Sequence, residues 1–423
     1  MSLDEAWLAA QGEDAALLRA ASTAFFFNKQ VNVGVAVSGG SDSMAMLHLM
    51  ARVAPQMGWS VHAVTVNHGL RPEAVTEAAF VASACVALGV PHATLQWQRI
   101  ETTGNLQDQA ARARYGLMAG WAQRHGITHV AVGHTADDQA ENFVMRLARK
   151  SGIDGLSGMR REWDQAGVTF ARPFLFHARA KLQAYLSNAG IGWMDDPSNE
   201  NDRFARVRAR KAMVHLQRLG ISTTVLSDVS AHLSDARQAL ESYSQDIAHR
   251  IVICRKGDVT IDWLGLQTSP SEVQRRVMIA ALRWVSGSEY PPRFAALQNL
   301  EMAIFRRKDK TLSGCRIVSS DVSVRIFREY KAVAGLSGPT DQIWDNRWQL
   351  KGPHDPGLQI GALGLKGLKA CPDWRASGIP RLSLLSSPAV WQGDTLVAAP
   401  LAGFNDAWTA RIVADFQSYL LSH

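Results

Sequence analysis

The feature that most narrows the possible fold is an alternation. Short apolar runs at Val33–Val37, Val61–Val66, Ala93–Gln98 and Thr128–Val132 each give way to a longer amphipathic stretch. These stretches are Ser43–Val53, Glu73–Leu88, Leu106–His125 and Ala136–Lys150, and Val168–Phe174 reads as a fifth strand. Strands that are apolar along their whole length, spaced by helices, predict a parallel sheet covered on both faces. In such sheets ligands bind beyond the carboxyl ends of the strands, so the residues just after each strand carry the functional weight.

From about Ile221 the pattern changes. Helices are expected over Ser222–Ala248 and Ser271–Val285. Between them Ile251–Cys254 and Val259–Trp263 flank Arg255-Lys256-Gly257-Asp258, a hairpin turn by composition. Cys315–Val318 and Val322–Phe327 suggest a second strand pair. Gly335–Pro339 reads as a linker, and the remainder, rich in Gly, Pro and Trp, as a small mixed or β-rich domain. The expected division is 1–218, an α/β parallel-sheet domain; 219–334, a mostly helical middle domain; and 340–423, a small C-terminal domain.

The first strand runs into Ser38-Gly39-Gly40-Ser41-Asp42-Ser43. Backbone N–H groups at a strand-to-helix turn, with the positive helix end behind them, bind phosphate oxygens, and glycine allows close approach. Asp42 would repel phosphate unless a cation such as Mg²⁺ bridges the two. A Walker A loop, a G-x-G-x-x-G fingerprint and a G-x-S-x-G elbow are all absent here.

After the fourth strand, His134, Asp137, Asp138 and Glu141 fall at i, i+3, i+4 and i+7, on one helical face near its N-terminus. Three acids and a histidine repel on a bare surface. Mg²⁺ or an amine substrate would relieve the clash, whereas a solvated face favoured by the helix dipole would not need the histidine. Val66-Asn67-His68-Gly69-Leu70-Arg71 follows the second strand. Gly104-Asn105-Leu106 leads a helix with Arg112, Arg114 and Tyr115. Trp193-Met194-Asp195-Asp196-Pro197-Ser198-Asn199 precedes Arg203, Arg206, Arg208, Arg210 and Lys211, a basic run that reads either as a solvated stripe or as a phosphate-contact surface.

The SGGxDS loop closely resembles the PP-loop of the ATP pyrophosphatases, enzymes that cleave ATP between the α and β phosphates. With the HGLR stretch, the GN helix, HxxDDxxE, Arg172-Pro173 and DPSN followed by arginines, in that order, Val33 to Lys211 resembles the tRNA(Ile)-lysidine synthetases. Beyond it the likeness is looser: Gln274-Arg275-Arg276, Gly378-Ile379-Pro380 and Val397-Ala398-Ala399-Pro400 are similar to the family's later domains. The chain departs from the pattern at Asn142, where the family has Thr, and at Gln107, where it has Glu. Its helix arginine is displaced to Arg112, beside Ala111, and Val207 replaces an Asn.

The resemblance implies an adenine nucleotide hydrolase-like PP-loop domain followed by two tRNA-binding domains. It implies ATP-dependent joining of free L-lysine to the 2-position of the wobble cytidine of tRNA(Ile) with a CAU anticodon, through an adenylated tRNA, with release of pyrophosphate and AMP. ATP contacts would come from Ser38, Gly39, Gly40, Ser41, Asp42, Ser43, His68 and Arg71. Asp42, His134, Asp137, Asp138 and Glu141 would be catalytic, with Mg²⁺ on Asp42 and Asp138. Arg112, Arg114, Arg203, Arg206, Arg208 and Arg210 would meet tRNA. The sequence leaves open which acid serves lysine and which metal, and leaves the oligomeric state open, a homodimer included.

Composition agrees with a polyanionic partner. The net charge is +7 and the pI about 9.4. The four cysteines, Cys85, Cys254, Cys315 and Cys371, form no CxxC pair, which fits a reducing cytosol and argues against a zinc ribbon or a local iron–sulfur site. The acidic N-terminus is not a secretory signal, and no apolar run is long enough to span a bilayer, so a cytoplasmic protein without membrane attachment is expected. The rival readings are a PP-loop tRNA thiolase, disfavoured by the lone Cys85 in the nucleotide domain, an NAD or GMP synthetase-type ligase, and a tRNA-binding relic without catalysis.

Overall fold

The computed structural model describes residues 5–9, 11–25, 31–67, 69, 73–97, 106–194, 205–288 and 290–422. The chain divides into two compact units, Met1–Arg237 and Gln238–His423.

The first unit is built on β1 (Val31–Ala36), β2 (Trp59–Asn67), β3 (His92–Gln96), β4 (His129–Val132), β5 (Glu162–Gln165) and β6 (Val168–Ala171), in the order β3-β2-β1-β4-β6-β5. The first four strands and β6 are parallel, as the alternation predicts. The expected fifth strand ends at Ala171 rather than Phe174. β5, which the sequence does not announce, pairs antiparallel with β6 at the sheet edge. The helices are α1 (Glu5–Ala9), α2 (Ala15–Ser22), α3 (Ser41–Met57), α4 (Glu73–Ala87), α5 (Leu106–Arg124), α6 (Ala136–Ala148), α7 (Ile153–Leu156), α8 (Arg179–Asn188), α9 (Ala205–Arg218) and the first half of α10 (Thr223–Ile251), which continues into the second unit.

Period-two side-chain alternation divides the core between the two sheet faces. Val33, Val35 and Ala131 pack with Met46, Leu47 and Met50 of α3 and Leu182 of α8. Val64, Val130, Val132 and Phe170 pack with Met118 and Trp121 of α5. The strand order runs outward from β1 to β3 in one direction and from β4 to β6 in the other. The topological switch point therefore lies between β1 and β4, which pair as Val33↔His129 through Ala36↔Val132. Both chemistry-bearing segments follow these two strands.

In the second unit β7 (Val252–Arg255), β8 (Asp258–Asp262), β9 (Lys310–Leu312), β10 (Cys315–Ser319) and β11 (Ser323–Arg328) form an antiparallel sheet in the order β7-β8-β11-β10-β9. It carries α11 (Trp263–Gln267), α12 (Ser271–Ser286) and α13 (Phe294–Phe305). Lys256 and Gly257, at φ 52° and 90°, make the expected two-residue hairpin turn. The C-terminal part has strands β12 (Ser337–Pro339), β13 (Trp348–Lys351), β14 (Gln359–Ala362), β15 (Pro388–Gln392), β16 (Thr395–Ala398) and β17 (Thr409–Ile412) around Trp344, Trp348, Val390 and Trp408. Gly335–Pro339 is not simply a linker, since Ser337–Pro339 pairs with β14. Among the described residues, no helix is long and apolar enough to cross a membrane.

Candidate active site

The glycine loop closes on itself before it presents anything. Gly39 sits at φ 92°, a conformation that favours glycine. Its carbonyl accepts from Met194 N at 2.9 Å. Ser43 Oγ donates to Gly40 O at 3.0 Å and accepts from Ser38 N at 3.1 Å, with Ser38 Oγ 3.2 Å away. The helix begins at Ser41, two residues earlier than the sequence suggests, so Asp42 and Ser43 belong to the first turn of α3.

Residues after β4 enter at the same place. A Cβ on Gly133 would lie 3.2 Å from Ser43 Cα and N and 3.3 Å from the Asp42 carbonyl carbon. The two segments thus approach so closely that any side chain here would press on the main chain of α3. Thr135 N and Oγ1 donate to Asp138 Oδ2 at 2.7 and 3.1 Å, fixing the acid face of α6 at its origin. Asp138 and Glu141 are buried, while Asp137 is only partly so.

Arg179, the first residue of α8, joins the two segments. Its Nε donates to Asp42 Oδ2 at 2.8 Å and its Nη2 to Asp138 Oδ1 at 2.9 Å, and Nη1 is 3.9 Å from Glu141 Oε1. Its backbone N–H donates to Asp137 Oδ2 at 2.7 Å. One residue therefore touches all four acids. Arg206 pairs with Asp138 and with Glu141, the latter at 2.6 Å, and Arg210 Nε lies 2.8 Å from Glu141 Oε1.

The electrostatics follow from this crowding. Burial pushes the Asp42 carboxyl up, an effect Arg179 offsets in part and Asp138 and Asp137 reinforce. Burial would also raise Asp138, but Arg206, Arg179 and its hydrogen bonds outweigh it, and its carboxyl falls below the usual range. His134 is pushed down to about 3 by burial and by Arg172. Arg172 Nε donates to His134 Nδ1 at 2.9 Å, so the neutral ring carries its proton on Nε2. Arg172 is itself held by Arg160 O at 2.6 Å and stacks 3.9 Å above the Trp163 ring.

The expected site residues thus fall into groups. Ser38 to Ser43, His134, Asp137, Asp138 and Glu141 come together. Arg206 and Arg210, one helical turn apart, turn to the acids instead of forming a stripe with exposed Arg208. Arg114 is half-buried, its guanidinium 3.2 Å from the Tyr115 hydroxyl. His68, Arg71, Arg203, the Asp195–Asn199 stretch, Gly104-Asn105 and the Arg112 side chain lie outside the described residues. Sequence reasoning missed Arg179 and assigned Arg172 no role. The available signal for Arg179 was a cation at a helix N-terminus after a strand, where the helix dipole disfavours it unless acids compensate.

Among the described residues, no group of three or more His, Cys, Asp or Glu side chains is arranged to hold a metal. Two carboxylate oxygens converging on one guanidinium, from Asp42 and Asp138, nonetheless fit Mg²⁺, which takes one or two protein carboxylates and completes its shell with phosphate and water.

Such a sheet, with a glycine loop and an acidic helix at its switch point, defines a PP-loop nucleotide-binding enzyme, and a PP-loop domain model matches residues 15–217. The chain is 45% identical over 394 residues to the tRNA(Ile)-lysidine synthase of Ruegeria pomeroyi, covering 92% of this chain and 94% of that one. It is 32% identical to the enzyme of the same name from Wolbachia pipientis wMel, covering 90% of each. The chain belongs to the tRNA(Ile)-lysidine synthase family. Among solved structures it is similar to the U34-tRNA thiolase NcsA from Methanococcus maripaludis with its [4Fe-4S] cluster, at 14% identity and a TM-score of 0.46, over 55% of this chain and 81% of that one. A likeness that slight bears on neither fold nor function.

Proposed function

We propose that this protein joins free L-lysine to C2 of the wobble cytidine of tRNA(Ile) with a CAU anticodon. ATP first adenylates the 2-oxygen and releases pyrophosphate; the lysine amine then displaces AMP. The observation that carries this reading is the meeting of a phosphate-type loop and an acid cluster at one switch point, in a chain that matches its family over nine-tenths of its length.

The residues suit both steps. The first turn of α3 offers backbone N–H groups to the leaving pyrophosphate. Asp42 and Asp138 are the residues that would hold Mg²⁺, which supplies charge neutralisation on the phosphates. His134, kept neutral by burial and by Arg172, offers an Nε2–H donor without adding a cation. The lysine amine arrives as an ammonium and must lose a proton before it attacks. Asp137 is the acid to receive it: it is less buried than its neighbours and, among the described residues, is paired with no guanidinium. Arg208, exposed on α9, and basic residues outside the described segments suit the tRNA backbone.

The division into 1–218, 219–334 and 340–423 belongs to this reading. Two apolar cores within the second unit support it, one around Val277 and Ile317, which Phe416 of the C-terminal segment also joins, and one around Trp344 and Val390. A cytoplasmic location agrees with a tRNA substrate and with four unpaired cysteines. Against thiolation, Cys85 is buried and its thiol is pushed up to about 11, so it holds its proton at neutral pH.

The test separates the two steps. With a tRNA(Ile) transcript carrying CAU, pyrophosphate release should proceed without lysine, while AMP release should require it. AMP release that is indifferent to lysine but driven by sulfide would replace this reading with thiolation.

A further inference from the structure

We infer that Arg179 is a positioning residue that makes the phosphate side and the amine side of the site a single rigid array. This rests on the lysidine reading above. The glycine loop and the acid helix are distant in sequence, and the turn before α6 approaches the backbone of α3 closely at Gly133. The side-chain bridge between them is the Arg179 guanidinium, which spans Asp42 on α3 and Asp138 and Glu141 on α6. Its main-chain N–H holds Asp137 as well, so backbone and side chain of one residue set four carboxylates.

The arginines around the acids are not equivalent. The Arg179 side chain is 22% exposed, against 46% and 40% for Arg206 and Arg210. Among the arginines of the described residues, only Arg179 reaches Asp42. Arg206 and Arg210 contact acids of the amine side alone. The planar fork is what the geometry uses, since three nitrogens address three carboxylates in three directions. A lysine ammonium is a point charge and cannot span them. The consequence is specific: losing Arg179 impairs adenylation, which uses the Asp42 side, and lysine transfer, which uses the α6 acids, even though the two reactions occur in sequence with different substrates.

The experiment uses the full-length protein with Arg179→Lys and Arg179→Ala. Adenylation is read as lysine-independent pyrophosphate release from tRNA(Ile). Transfer is read as single-turnover lysine incorporation into adenylated tRNA isolated from the wild-type reaction. Both variants should lose roughly 100-fold or more in each rate constant, the scale of a site misplaced by about 1 Å. Lys should do little better than Ala. Millimolar ethylguanidinium, but not ethylammonium, should restore Arg179→Ala at least tenfold in both steps. Thermal melts check that Arg179→Lys is folded. Loss of one step alone, full activity of Arg179→Lys, or equal rescue by ethylammonium would overturn the inference. A wild-type protein that incorporates no lysine would instead sink the lysidine reading itself.

Discussion

Substituting Gly133 by Ala tests how closely the two halves of the site are pressed together. The added Cβ would sit 3.2 Å from Ser43 Cα and N and 3.3 Å from the Asp42 carbonyl carbon. Ordinary carbon contacts lie near ~3.5–4.0 Å, so the first turn of α3 must retreat by a few tenths of an ångström. These are main-chain atoms, and no side-chain rotation relieves the clash. Overpacking of this kind costs about 1–3 kcal/mol. The same retreat lengthens the 2.8 Å contact of Asp42 with Arg179 and shifts the phosphate-facing N–H groups. With a rate penalty on the order of 100-fold per ångström, a shift of a few tenths of an ångström should lower lysine-independent pyrophosphate release by roughly 3- to 10-fold. Filter binding of tRNA should be unchanged. Gly116→Ala on α5, where a Cβ meets nothing within 4 Å, is the control and should leave adenylation unchanged while stabilising the helix slightly. Full adenylation by Gly133→Ala, with an unaltered melting temperature, would refute the close approach.

Other perturbations have equally definite outcomes. Asp42→Ala should abolish adenylation while tRNA binding persists; retained pyrophosphate release would contradict the role given to the loop acid. His134 is neutral in the fold down to about pH 3, whereas an unfolded histidine takes up its proton near 6.5. The unfolded state therefore binds more protons below pH 6.5, and this residue's contribution to stability is lost progressively as pH falls from 6.5 towards 3, by at most roughly 5 kcal/mol. The drop in melting temperature between pH 7 and pH 5 should accordingly be smaller for His134→Asn than for the wild type, and equal drops would count against a buried neutral ring. Gly257→Ala, at φ 90° with a Cβ 2.6 Å from the Trp348 ring, should destabilise the second unit by roughly 1–3 kcal/mol in denaturant melts, and an unchanged transition would be inconsistent with the hairpin geometry.

The parallel sheet was legible because its strands are apolar on both faces and its helices carry a 3.6-residue stripe, both of which are local signals. β5 was not, because Glu-Trp-Asp-Gln at an exposed edge alternates charge with partial burial and has no apolar run. The glycine loop and the α6 acids could be found because each is contiguous or helically spaced. Arg179 could not be assigned in the same way: its contact with Asp42 spans 137 positions, and only the fold brings it there. The arginines after Asn199 looked like an alternating stripe. Helical winding instead puts Arg206 and Arg210 on the face that meets Glu141, where both guanidiniums stay partly exposed, and puts Arg208 on another face. The reversal arises because the spacing that defines a stripe in a strand separates faces in a helix. The linker reading of Gly335–Pro339 overlooked the strand at Ser337–Pro339 for a related reason, since a short edge strand tolerates Gly and Pro that a central strand would not.

The most direct test of the central claim is whether lysine becomes bonded to a base. The protein is incubated with ATP, Mg²⁺, labelled lysine and bulk bacterial tRNA, and the tRNA is then treated with mild base, which strips an aminoacyl ester but leaves lysine joined to a base carbon. The account predicts base-stable label equal in amount to the AMP released. AMP release with no base-stable label would contradict it and assign the site a different nucleophile.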